Sequence, residues 1–63
     1  MKFKVNDYIC LNSDELFPCG IYQIDYIFVD LFENNCYVIR ATDANDLSYA
    51  VCANALEAVA ELY

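Results

Sequence analysis

Apolar and polar residues alternate along most of this chain with the two-residue period of β-strands, and only the last ten residues shift to a helical period. Phe3 and Val5 alternate with Lys2 and Lys4, Asn6-Asp7 interrupts, and Tyr8-Ile9-Cys10-Leu11 resumes an extended apolar run. This predicts a first strand over 2–11, bent near Asn6. Residues 12–20 read as a loop that closes with Phe17-Pro18-Cys19-Gly20, where Pro second and Gly fourth suit a type I turn. Residues 21–29 are the longest strand candidate. Their alternation sets Ile21, Gln23, Asp25 and Ile27 on one face and Tyr22, Ile24, Tyr26 and Phe28 on the other, which is expected to be buried. Asn34-Asn35, tolerant of positive φ, predicts a hairpin into a strand over 36–41. After a polar, acidic stretch over 42–47, Ser48-Tyr49-Ala50-Val51-Cys52 reads as a fourth strand. From Asn54 onward Leu56, Val59, Ala60 and Tyr63 share one helical face, and Asn54 with Glu57 resembles a capping box. A helix over about 54–62 is therefore expected, with Glu57 and Glu61 on its solvated or partner-facing edge.

These elements predict a mainly β fold with one C-terminal helix: a strongly bent antiparallel sheet, or a small barrel, of four or five strands. Neither repeats nor linker composition interrupts the chain, so residues 1–63 read as a single domain. The run Phe3-Lys4-Val5-Asn6-Asp7-Tyr8-Ile9-Cys10-Leu11, the long loop, then Gly20-Ile21-Tyr22-Gln23-Ile24 and Tyr37-Val38-Ile39 resemble the opening of SH3-like small barrels. Asn6-Asp7 stands where those domains carry a Gly-Asp turn. The resemblance implies a barrel fold and leaves function open. A peptide-binding module of that kind would use Tyr8, Asp14, Glu15 and Tyr37, although the chain has no Trp and no late Pro-Asn-Tyr motif.

Size and composition constrain the chemistry. A 63-residue chain buries only about 60% of its unfolded surface, so it needs a dense core, a staple or a partner. Here 60% of residues are hydrophobic and ten are aromatic, which supplies the core. Cys10, Cys19, Cys36 and Cys52 include no C-x-x-C pair, and histidine is absent, so no metal is expected. The N-terminal residues lack the apolar run of a secretion signal, which points to a reducing, cytoplasmic setting with free thiols. Cys10, Cys36 and Cys52 then read as small core residues and Cys19 as an exposed turn residue. No apolar run is long enough to cross a membrane.

The absence of histidine closes the usual routes to nucleophilic catalysis, a cleft deep enough to raise a carboxyl pKa is hard to build from about sixty residues, and the paired loop acids read as solvated. No enzyme activity and no cofactor are expected. Ten acids against Lys2, Lys4 and Arg40 give a formal charge of -7, which repels nucleic-acid phosphates and anionic membranes and favours a protein with a basic surface. In a meander the loops after strands 1 and 3 share one end, gathering Asp14, Glu15, Asp43 and Asp46 into a negative cap, while Asp30 and Glu33 lie at the other end near the helix start. Alternate strand residues stand about 6.8 Å apart, close to the phosphate track of nucleic acid. In size and charge the chain is similar to small phage proteins that block host defence, the anti-CRISPR and anti-restriction inhibitors. That similarity implies an acidic inhibitor docked on a nucleic-acid-binding surface of a host protein. Among the tyrosines, Tyr22, Tyr26 and Tyr37 are expected in the core with hydroxyls at the rim, and Tyr49 and Tyr63 as exposed contacts. A homo-oligomeric structural protein, held by an edge strand or the helix, is the further alternative.

Overall fold

A computed structural model describes all 63 residues. Its strands are β1 (Tyr8–Leu11), β2 (Gly20–Val29), β3 (Asn35–Ala41), β4 (Ser48–Cys52) and β5 (Ala60–Leu62), with the single helix α1 (Ala53–Val59) between the last two. They form one antiparallel sheet in the order β4-β3-β2-β1-β5. The expected mainly β architecture is thus what the chain adopts, as an open, bent sheet.

The bend follows from the connection between the two edges. If flat, five strands would set β4 and β5 about 19 Å apart. Seven helical residues rise only about 10 Å. The chain passes from Cys52 through α1 into Ala60 without further linker, so the edges must curl toward each other around the helix.

Curling encloses the core. Ile9 and Leu11 of β1, Tyr22 and Ile24 of β2, Tyr37 and Ile39 of β3, and Val51 of β4 face inward onto Ala53, Leu56 and Ala60. Leu56 and Tyr37 are fully buried.

Phe3 joins this core although residues 2–7, expected as the start of the first strand, are not strand. Asn6 adopts φ 75°, the Asp7 amide donates to the Lys4 carbonyl at 3.0 Å, and the Lys4 amide donates to Asp7 Oδ2 at 2.9 Å. A tight turn replaces the bent strand. Its flanks still pair with β2, through Asn6 N to the Ile24 carbonyl and Ile24 N to the Asp7 carbonyl, each 2.8 Å.

Three further expectations are corrected. The β2–β3 register shifts between Ile24 and Tyr26, so Asp25 is bulged and the alternation inverts beyond it. Tyr26 is consequently exposed and Phe28 only half-buried, while Ile27 packs on the core opposite Tyr37. Next, the positive φ of the β2–β3 hairpin falls on Glu33 (63°) rather than on Asn34 or Asn35. Glu33 N donates to the Asp30 carbonyl and Asp30 N to the Asn34 carbonyl, a type I turn followed by one left-handed residue. Finally, the helix ends at Val59 rather than continuing to about residue 62. Ala60–Leu62 pairs with β1, supplying partners for backbone groups that edge β1 would otherwise leave open.

Candidate functional site

The β1–β2 loop and the β3–β4 loop meet at one end of the sheet, as the strand directions require. Thr42 donates to the Ile21 carbonyl through both its amide (3.2 Å) and its hydroxyl (2.9 Å), fastening one loop to the base of the other. The β1–β2 loop is held by side chains rather than by the expected type I turn: Asp14 Oδ1 accepts from Cys19 N at 2.8 Å, and the Tyr22 hydroxyl donates to the Pro18 carbonyl at 2.7 Å. Gly20, at φ 152°, opens β2 in a conformation that a side chain would strain. Between the loops lies a cleft of about 320 Å³ lined by Pro18, Tyr22, Thr42, Asp43, Leu47 and Tyr49, among others.

Charge at this end is uneven. Burial pushes the Tyr22 hydroxyl above its ordinary value, and Tyr49, Asp43, Cys19 and Asp14 add to the effect in that order. Asp14 and Asp43, from different loops, thus act on the same hydroxyl. The Asp14 carboxyl is itself held below the usual range by its hydrogen bonds from Cys19. Glu15 is exposed and its carboxylate makes no hydrogen bond or ion pair, and the Asp43 carboxylate accepts only from the nearby Asn45 amide at 3.0 Å. Asp46 differs, because Arg40 reaches it at 3.7 Å while also pairing with Asp25 at 3.3 Å. The structure therefore brings Asp14, Glu15 and Asp43 to one end and turns Asp46 onto a cation.

Tyr49 is not the exposed contact expected of it. It is half-buried, stacked on Phe17 with ring centroids 4.3 Å apart and set edge-on to Tyr22 at 6.2 Å. Tyr22 and Tyr49 both line the cleft between the two loops. Tyr63 is exposed as expected, and its amide donates to the Tyr8 carbonyl.

At the opposite end Asp30 and Glu57 serve the fold, while the exposed Glu33 makes no side-chain hydrogen bond or ion pair. Asp30 Oδ1 accepts from the amides of Phe32 (2.8 Å) and Asn34 (2.9 Å), and the hydrogen bonds from Asn34 and Phe32 hold its carboxyl below the usual range. Glu57 does not cap α1: the N-cap is Cys52, with no side-chain hydrogen bond. Instead Glu57 Oε2 accepts from the buried Tyr37 hydroxyl and from Lys2 N at 3.0 Å. The Tyr37 hydroxyl in turn accepts from Phe3 N at 3.1 Å. Its donation, followed by that of Lys2, lowers the Glu57 pKa, whereas burial and then Glu57 raise that of Tyr37. Lys2 Nζ closes the arrangement by donating to the Ala60 carbonyl at 3.2 Å.

Glu33 and Glu57 line a second cleft, of about 370 Å³, with Met1, Asn35, Cys52 and Asn54. Glu61, expected beside Glu57 on a helix edge, lies instead on β5 opposite Cys10 and is exposed. One feature of this end escaped the sequence pattern: Leu31 and Phe32, at the tip of the β2–β3 hairpin, are 98% and 83% exposed. Both lie between the strand expected over 21–29 and the Asn34-Asn35 turn signal, and the sequence pattern assigned them no role.

All four cysteines are free: Cys36 is buried, Cys10 half-buried and Cys19 exposed, while Cys52, expected in the core, is exposed. No three Cys, Asp or Glu side chains come together in a way that would hold a metal ion, and no helix is long and apolar enough to cross a membrane. No protein-family model matches this chain, nor does any curated protein or solved structure.

Proposed function

We propose that this chain is a non-catalytic binding protein whose loop end, carrying Asp14, Glu15 and Asp43, docks on a basic protein surface of the kind that holds nucleic acid. The observation that carries this reading is the meeting of two acidic loops at one end, where Glu15 and Asp43 have no cation while both ion pairs of the molecule fall on Arg40. Carboxylates fixed by a folded scaffold meet a cationic surface without the ordering cost of a flexible acidic tail. The inhibitors of phage anti-defence type, which the chain resembles in size and charge, act on surfaces of that class.

A second reading has its own support. The order β4-β3-β2-β1-β5, with the last strand returning to pair with the first, suits an SH3-like module, and the aromatic cleft between the loops would receive a peptide. One comparison separates the two readings. Wild-type protein and the variant Asp14→Lys/Glu15→Lys/Asp43→Lys are used to capture partners from a bacterial lysate at low and at high salt. The docking reading expects a basic protein that the wild type releases as salt rises and that the variant does not capture. Capture by both proteins, indifferent to salt, would remove it in favour of an apolar cleft contact.

A further inference from the structure

Cys36 and Cys52 are direct cross-strand neighbours in the β3–β4 ladder. The Ala41 amide donates to the Leu47 carbonyl at 2.7 Å, which makes that facing pair a hydrogen-bonded one. Hydrogen-bonded and non-hydrogen-bonded pairs alternate along an antiparallel ladder. Counting down it, Ile39 with Tyr49 and Tyr37 with Val51 are hydrogen-bonded pairs, and Cys36 with Cys52 is a non-hydrogen-bonded one. At such positions the Cα atoms approach to about 4.5 Å, within the range that a disulfide spans.

We propose that Cys36 and Cys52 form a two-thiol site that reacts with small disulfides such as oxidised glutathione and closes into a bond between β3 and the edge strand β4. Cys52 is the entry point because it is exposed, at the junction of β4 and α1 and on the rim of the cleft shared with Glu33 and Glu57. Cys36 is buried, its Sγ 3.7 Å from the Asn34 carbonyl oxygen and 4.0 Å from Asp30 Oδ2. Burial, then the adjacent Cys52 and Asp30, raise the Cys36 pKa and hold it as a thiol. The Cys52 thiolate attacks one sulfur of the small disulfide, forming a mixed disulfide and expelling one thiolate. Cys36 then loses its proton and attacks the Cys52 sulfur as the thiolate, expelling the second thiolate, which the proton neutralises. The two protons lost from the cysteines go to the two leaving thiolates, so two protein thiols are oxidised and one small disulfide is reduced to two thiols.

Cys10 and Cys19 provide the internal control. Cys19 is exposed too, but its own thiol is raised first by Asp14, and Cys10 pairs with Ile21 rather than with another cysteine. The test incubates the full chain with oxidised glutathione without denaturant, counts free thiols and maps the peptides unreduced. Two of the four thiols are expected to disappear, with residues 36 and 52 recovered in one linked peptide. The Cys10→Ser/Cys19→Ser variant should retain the link, and Cys36→Ser should stop at a glutathione adduct on Cys52. Because the wild-type peptide map stands alone, poor folding of a variant leaves the test intact. Four free thiols after oxidation, a link between Cys10 and Cys19, or bonds only between separate chains would each overturn the proposal.

Discussion

At the hairpin and helix end of the sheet, Asp30 closes a turn and Glu57 accepts from the Tyr37 hydroxyl and the Lys2 amide. At the loop end, the Glu15 carboxylate has no partner and that of Asp43 accepts only one nearby amide. Tyrosine hydroxyls mark the same divide. Tyr37 joins β3, α1 and the N-terminal segment through bonds to Glu57 and Phe3, whereas Tyr22 donates once, to a carbonyl four residues away. The contrast separates charge that holds a fold together from charge that a fold presents. A count of acids in the chain does not distinguish the two.

Deleting one hydroxyl at each end should produce the largest difference between them. Tyr37→Phe leaves the buried Phe3 amide without an acceptor and takes from Glu57 one of its two donors, the other being Lys2 N. It should cost about 2–3 kcal/mol in urea unfolding, against about 1 kcal/mol or less for Tyr22→Phe. Equal losses would mean that the two ends are tied equally.

The acid and alkaline limbs of stability test the same end more gently. The folded Glu57 pKa lies below its ordinary 4.5, so its contribution is complete above that value and fades as pH falls through the lower folded one. The folded Tyr37 pKa lies above 10, so its contribution is complete below 10 and is lost as pH rises through the higher folded value. Thermal midpoints recorded across pH should therefore fall on both limbs, and Glu57→Gln should flatten the acid one. An unchanged acid limb in that variant would place the sensitivity elsewhere, with Asp30 or Asp14 next in line.

The smallest effect is expected at the loop end itself. Glu15→Gln/Asp43→Asn should change unfolding stability by less than about 0.5 kcal/mol, since neither side chain is buried or ion-paired. The same variant should weaken capture of a basic partner. A stability loss as large as that of Tyr37→Phe would erase the distinction between the ends.

How much of this could be read along the chain differs by element. The long strand, the hairpin into β3, the short β4 and a helix beginning near residue 53 follow from local periodicity, because each repeats its signal over several residues. Leu56 falls on the core face of its helix for the same reason, whereas in β1 and β4 the buried positions are Ile9, Leu11 and Val51 and not the Cys10 and Cys52 expected there. The meeting of the two acidic loops was equally legible, since a meander fixes which connections share an end.

What required the tertiary structure turned on single contacts between distant residues. One extra residue at Asp25 inverts the faces of Tyr26, Ile27 and Phe28 without changing the apolar pattern that a periodicity reads. Ala60–Leu62 has helical composition yet pairs with β1, where it supplies partners to backbone groups that the edge of β1 would otherwise leave open. Glu57 faces Tyr37, twenty residues away, and Asp46 turns to Arg40. Sequence alone determined a small, acidic, strand-rich domain, since those properties sum over neighbours. Which acids remain available to a partner was decided only by folding, because that depends on whether a donor from elsewhere in the chain reaches each carboxylate first.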